Sequence, residues 1–215
     1  MHGVFSIPFP YWHQSSGVLP PSTPTTSLSH QQLDLLQAQQ TAPSDTDAIF
    51  VEPVLGKGGY LPAPPEFLQG LRERCDKHGM MLIVDEVQSG VGRTGAWFAV
   101  EESGVRPDIM VIAKGLGNGF PISGVVSRRE LTDKLVPGSM GGTYAGSAVS
   151  CAAAVAVNKV MCEENILENV NTRSHELFSA LNALKYDPPP KTTHPRRARA
   201  RAHGRRRVRC PKFKR

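Results

Sequence analysis

MMLIVDEV (80–87) and DIMVIAKG (108–115) decide the architecture. Each is a short apolar run ending in charge, the first in Asp85 and Glu86, the second in Lys114. An unbroken apolar run of that length reads as a buried strand of a parallel sheet. The 29-residue step from Asp85 to Lys114 is about one strand-helix-strand crossover, so the two strands can be neighbours. Working outward, IFVEPV (49–54) and PISGVVSR (121–128) read as two further strands. Between the first strand and MMLIVDEV lies APPEFLQGLRERCDKHG, where Phe67, Leu68, Leu71 and Cys75 recur at helical spacing. Its double proline starts a helix and Gly79 stops it. A short amphipathic piece is expected near FAVEESGV, a helix at RELTDKL, and a long helix over 147–185, broken near Glu163 or Asn165. Strands alternating with helices predict an α/β domain, a mostly parallel sheet with helices on both faces.

The flanks differ from this centre. Residues 1–44 hold one charged residue, Asp34, and six prolines, and only QQLDLLQAQQ (31–40) looks briefly helical. That segment is expected to be poorly ordered, the domain to run over 45–186, and 187–215 to be a disordered Arg-rich tail. The formal charge of +6 averages two proteins: 191–215 carry 12 of the 25 Lys and Arg and no acid, leaving 13 bases against 19 acids before them. The body is therefore acidic and the tail strongly basic. No apolar run reaches the roughly 18 to 20 residues of a membrane helix, so no membrane span is expected. Cys75, Cys151, Cys162 and Cys210 lack CxxC or metal-ligand spacing, which suits reduced thiols and predicts neither a disulfide framework nor a metal site. The first Lys or Arg is Lys57 and no targeting signal is legible, so a cytoplasmic or mitochondrial location is expected.

Ligands of open parallel sheets bind at the carboxyl edge of the strands. Glu52, Asp85, Glu86 and Lys114 all fall at that edge, which collects acids and one amine from three segments. A lysine desolvated there is a nucleophile toward carbonyls, because burial disfavours its charged form. Gly115, Gly117 and Gly119 let backbone and cofactor approach closely. A carboxylate on the neighbouring strand could hold a protonated pyridine nitrogen, the feature that makes pyridoxal 5'-phosphate an electron sink. Bland readings compete: a lysine after a strand is more often a solvated loop residue, and an acid pair is as often a loop cap.

Resemblance moves the balance. EPVLGKGGYLPAPPEFLQGLRERCDKHGMMLIVDEVQSGVGRTGAWFAVEESGVRPDIMVIAKGLGNGFPISGVV, followed by GGTYAGSAVSCAAAVAV, resembles the class III pyridoxal phosphate-dependent aminotransferases, most closely the 4-aminobutyrate type, from about Ala48 to Leu184. The resemblance implies part of a fold-type I large domain. Lys114 would be the Schiff-base lysine and proton shuttle, Asp85 the partner of the pyridine nitrogen, Gln88 a contact of the ring's phenolic oxygen, and Val87 a packing group on the ring face. Thr143, with Gly142 beside it, would reach the cofactor phosphate of a neighbouring subunit, which implies a homodimer. Glu52 would neutralise a substrate-binding arginine when the donor lacks an α-carboxylate. The implied reaction moves an amino group from an ω-amino acid, 4-aminobutyrate by preference, to 2-oxoglutarate; an ornithine or acetylornithine donor is the alternative within the family. The resemblance also implies that the family's phosphate turn and substrate-carboxylate arginine lie outside this chain, so the truncated domain is expected to hold the cofactor weakly or not at all. A rival reading is a non-catalytic relic whose basic tail binds nucleic acid; without aromatic interleaving or a recognition helix, nucleic acid is not the expected partner. Arg93 in GRTG is weighed toward holding its loop together, and Lys57 stands where many relatives carry an acid.

Overall fold

The computed structural model describes residues 3–11 and 25–184. The basic tail lies outside the described residues. The chain divides into two compact units, 1–170 and 171–215. Sheet and candidate site belong to the first. In the second the described residues are helical through Ala183 and carry an Arg173–Glu176 ion pair at 2.6 Å.

Helix α1 (Thr25–Gln39) is followed by strand β1 (Ala48–Val51) and a small antiparallel ribbon of β2 (Val54–Leu55) and β3 (Leu61–Pro62). Then come α2 (Pro65–His78), β4 (Met81–Asp85), β5 (Ile109–Ile112), β6 (Gly124–Ser127), the single-turn α3 (Arg129–Thr132), α4 (Ala148–Glu163) and α5 (Ile166–Ala183). All four anticipated strands form one sheet in the order β1-β4-β5-β6. β1, β4 and β5 are parallel, with Val51 opposite Val84 and Asp85 opposite Val111. β6 runs antiparallel to β5. The reason is the link: 113–123 is too short for the crossover of a dozen or more residues that a parallel return requires.

Helix α2 starts at Pro64-Pro65 and ends where Gly79 takes the left-handed conformation (φ 71°) and returns its N–H to the Cys75 carbonyl. Its buried stripe, Phe67, Leu68, Leu71 and Cys75, packs on Val51, Leu82 and Val84 of β1 and β4 to make the core. Full burial of each such leucine contributes about 2 kcal/mol. The opposite face, also expected to be covered, is more open: Phe50 is 59% exposed and Ile83 half-buried.

Residues 25–39, inside the segment expected to be poorly ordered, form a docked helix instead. α1 has no apolar face to announce it. It is held by one buried leucine, Leu33, by buried Ser29, and by Arg74, which donates to Asp34 and to Gln37 Oε1. The His30 ring lies over Phe67 with centroids 5.4 Å apart. The break between α4 and α5 falls at Asn165, which takes a left-handed φ of 50°.

Candidate active site

The carboxyl edge of β1, β4 and β5 gathers the charged ends of the three strands. Asp85 closes β4, and the next residue donates its N–H to the Val111 carbonyl of β5 at 2.9 Å. Three residues beyond Val111 stands Lys114, whose Nζ donates to Gln88 Oε1. Glu52 follows β1 directly and accepts the Gly56 N–H on Oε2 at 2.9 Å. A Cβ at Gly56 would lie 3.3 Å from Gln88 Cγ and 3.5 Å from Glu52 Oε2, so this turn seats against both. Glu52, Gly56, Gln88 and Lys114 are thus one continuous cluster, with Asp85 a strand-end away.

Asp85 Oδ1 accepts the Val87 N–H at 2.9 Å. That bond fixes the carboxylate and Val87 together and leaves Oδ2 without a hydrogen bond among the described residues. An oriented carboxylate with one unsatisfied oxygen fits the nitrogen of a protonated aromatic ring. Lys114 itself has φ 43°, a left-handed conformation unusual outside glycine and a small store of backbone strain. It opens a 3-10 turn, Lys114–Leu116, closed by the Gly117 N–H on the Lys114 carbonyl at 3.2 Å. The expectation of a desolvated lysine is not met: the Lys114 residue is exposed, because the strand end leaves it on an open edge.

Beside this turn an apolar cavity of about 550 Å³ opens between Val91, Gly115, Gly117 and Phe120 on one side and Ala153 and Val157 of α4 on the other. Gly92 (φ 83°) lies against α4, where a Cβ would fall 2.3 Å from Met161 Cε. Arg93 is exposed and makes no ion pair among the described residues. The loop it was expected to hold is closed by backbone, with Gly92 N–H on the Trp97 carbonyl and Gly95 N–H on the Gly92 carbonyl.

Gly142 and Thr143 stand on an exposed turn, tied by the Ala145 N–H to the Gly142 carbonyl at 2.9 Å, and make no hydrogen bond with the Lys114 cluster among the described residues. Glu86, grouped with Asp85 as a rim acid from sequence, is fully buried. Its Oε1 accepts the Val100 N–H at 2.8 Å and its Oε2 the Ser89 hydroxyl at 2.5 Å. Burial pushes its carboxyl up, and the bonds from Ser89, Val100 and Ala99 oppose that. The period-two alternation of the strand, which puts Glu86 on the same face as buried Leu82 and Val84, is the sequence signal that this acid turns inward.

A mostly parallel sheet with a lysine and a carboxylate at its carboxyl edge is the arrangement expected of a fold-type I cofactor-binding domain. Comparison with known proteins agrees. The profile of the class III aminotransferases ("Aminotransferase class-III") matches residues 5–198, and the chain belongs to that family. The family is pyridoxal phosphate-dependent. Over 143 residues the chain is 50% identical to the 4-aminobutyrate aminotransferase GabT of Escherichia coli K12, covering 66% of this chain and 34% of that protein. It is 44% identical over 153 residues to the acetylornithine aminotransferase of Clostridium acetobutylicum, covering 71% of this chain and 40% of that protein. Among solved structures, the ornithine aminotransferase of Toxoplasma gondii, crystallised with partial occupancy of PLP at its active site, superposes with a TM-score of 0.66 at 32% identity. That match covers 73% of this chain and 36% of the solved one. The chain therefore spans little more than a third of the length of these relatives.

Proposed function

We propose that this chain carries the reacting lysine of an ω-amino acid transaminase that binds pyridoxal 5'-phosphate, with 4-aminobutyrate as amino donor and 2-oxoglutarate as acceptor. The observation that carries the reading is the contact of Lys114 Nζ with Gln88 Oε1 at the same sheet edge where Asp85 closes β4 with one oxygen free of hydrogen bonds among the described residues. When bound, pyridoxal 5'-phosphate supplies an aldehyde that condenses with amines and a protonated pyridine ring that accepts an electron pair. In this reading Lys114 Nζ would be the amine that holds the cofactor through that aldehyde and the base that carries a proton between the amine-bearing carbon of the substrate and the aldehyde-derived carbon of the cofactor. Asp85 would keep the ring nitrogen protonated through Oδ2. Gln88 positions Nζ and would meet the ring's phenolic oxygen, while Val87, tied to Asp85 by its own N–H, would pack on the ring face. Glu52, anchored by the Gly56 N–H, places a negative charge where a substrate-binding arginine needs a counter-ion. Gly142 and Thr143 would hold the cofactor phosphate of a second subunit, so the working unit in this reading is a homodimer.

Within the family, ornithine or acetylornithine is the second candidate donor, favoured by the 44% identity to an acetylornithine aminotransferase. The test uses the purified full chain with pyridoxal 5'-phosphate. Borohydride reduction followed by peptide mass spectrometry is expected to place the pyridoxyl group on Lys114. Amino transfer to 2-oxoglutarate is then compared for 4-aminobutyrate, ornithine and acetylornithine. A reduced adduct on another lysine, or none, overturns the reading; turnover with an ornithine-type donor alone overturns the choice of donor.

A further inference from the structure

We infer that Glu86 is a positioning residue: its buried carboxylate locks the turn that carries Gln88, and through Gln88 it sets where the Lys114 amine sits. Glutamate is seldom fully buried unless paired, yet Glu86 is 0% exposed and has no basic partner among the described residues. What it has instead is hydrogen bonds on every side. The backbone N–H of Glu86 is on the Val111 carbonyl at 2.9 Å, three residues before Lys114. Its own carbonyl accepts the Gly90 N–H at 2.9 Å. Its side chain ties Ser89 on one oxygen and Val100 on the other. Gln88 lies inside the turn that these bonds close. The turn is tight as well as bonded, because a Cβ at Gly90 would fall 2.8 Å from the Glu86 carbonyl oxygen.

A buried carboxylate is a costly way to fasten a loop, and an apolar side chain would serve a purely structural need at lower cost. Here the acceptors are spent on the two segments that bracket Gln88: Ser89, next to it, and Val100, at the start of the 3-10 turn Ala99–Ser103. With both held, the backbone that carries Gln88 is fixed, and its side chain meets Nζ near the end of β5. The assignment rests on Lys114 as the reacting amine, but its geometry can be measured without cofactor.

The experiment is competitive acylation of the full chain by trace acetic anhydride, reading Lys114 against exposed Lys134 in the same molecules by mass spectrometry. Gln88→Ala removes the acceptor on Nζ and is expected to speed Lys114 labelling about threefold, the scale of one hydrogen bond. Glu86→Ala is expected to do the same, and the Glu86→Ala/Gln88→Ala double variant also about threefold, because both act through one contact. Glu86→Gln keeps an acceptor for Val100 and a partner for Ser89, and is expected to restore the native rate. If Glu86→Ala does not fold, Ser89→Ala and Ser89→Ala/Gln88→Ala run the same cycle with an effect of the same sign. The inference is overturned if Gln88→Ala leaves Lys114 unchanged, if Glu86→Ala or Ser89→Ala leaves it unchanged while Gln88→Ala does not, if the effects multiply, or if Glu86→Gln behaves as Glu86→Ala. A chain that forms no pyridoxyl adduct on Lys114 but shows the expected cycle would sink the proposed function and leave the role of Glu86 standing.

Discussion

Strand β5 begins next to one charged group and ends near another, and the two ends treat charge in opposite ways. Asp108, just before the strand, is 7% exposed and saturated. It accepts the Leu82 N–H at 2.8 Å and Arg72 at 2.7 Å on Oδ2, and Arg128 at 2.6 Å on Oδ1. Lys114, just past the other end, is exposed, sits in a left-handed backbone conformation and has Gln88 as its contact. At the first end every polar atom of the carboxylate is spent on holding β4, β5, α2 and the start of α3 in register. At the second, capacity is left over: the amine, one oxygen of Asp85 and the rim carboxylate of Glu52. Sheet edges of one domain can thus be divided into a fastening end and a reacting end by whether their charges are already satisfied.

The sharpest way to break this contrast is Asp108→Ala. Removing the buried carboxylate leaves the Leu82 N–H without its acceptor and Arg72 with Asp76 as its remaining partner, which costs about 3 to 5 kcal/mol. Denaturant unfolding should show that loss, while the folded fraction keeps the native labelling rate at Lys114. A loss below about 1 kcal/mol would mean that the fastening end fastens nothing. The acid limb carries the same information. Burial pushes the Asp108 carboxyl up, but the Leu82 amide and the two arginines outweigh it and hold it below the ordinary carboxylate value. The native state thus binds its proton less readily than the unfolded chain, so this stability is present above the ordinary carboxylate pKa and is lost as pH falls through the depressed one. Asp108→Asn should flatten that acid limb.

Next in size is the core under α2. Burial pushes the Cys75 thiol up to about 11. The unfolded thiol ionises near its ordinary value of 9.0. Stability is therefore intact below pH 9 and declines as pH rises toward 11, by about 2 to 3 kcal/mol. Cys75→Ala should remove this alkaline decline in a pH series of thermal melts, at the cost of a smaller core. An unchanged alkaline limb would show that Cys75 is not the group responsible.

How much of this could be read from sequence follows the same division. The four strands and α2 were legible because their apolar runs and the Pro64-Pro65 and Gly79 signals are local. So was the reacting edge, since strand ends place Glu52, Asp85 and Lys114 there once the sheet is parallel. The direction of β6 was set by the length of a link rather than by composition. α1 was half-seen because its docking depends on Leu33 and on Arg74, 40 residues away from Asp34. The Asp85-Glu86 pair looks uniform in sequence; strand alternation sends one acid to the rim and the other to the interior. Burial of Lys114 was expected from its chemistry, and chemistry is not a packing constraint.

At the reacting end, Asp85→Asn should weaken binding of pyridoxal 5'-phosphate roughly tenfold, because a neutral amide loses the charge-assisted bond to a ring nitrogen. Spectral titration of the yellow complex measures it. The folded chain should be as stable as before, since the amide can keep an acceptor for the Val87 N–H. Equal binding by the variant would remove Asp85 from the site and leave the reacting end without its acid.

The smallest expected change is the most telling for the comparison. Lys114→Ala deletes a side chain that is exposed and contacts one neighbour, at a position whose left-handed backbone disfavours alanine as much as lysine. Exposed polar contacts of this kind contribute little, so unfolding free energy should move by less than about 0.5 kcal/mol. Asp108→Ala and Lys114→Ala remove groups only a few residues apart along one strand, and the argument requires their effects on stability to differ several-fold. If Lys114→Ala destabilised the fold as much as Asp108→Ala, the amine would be a fastening group and the division between the two ends would fail. If it cost almost nothing while abolishing the pyridoxyl adduct, the strain at φ 43° would be serving chemistry rather than the fold.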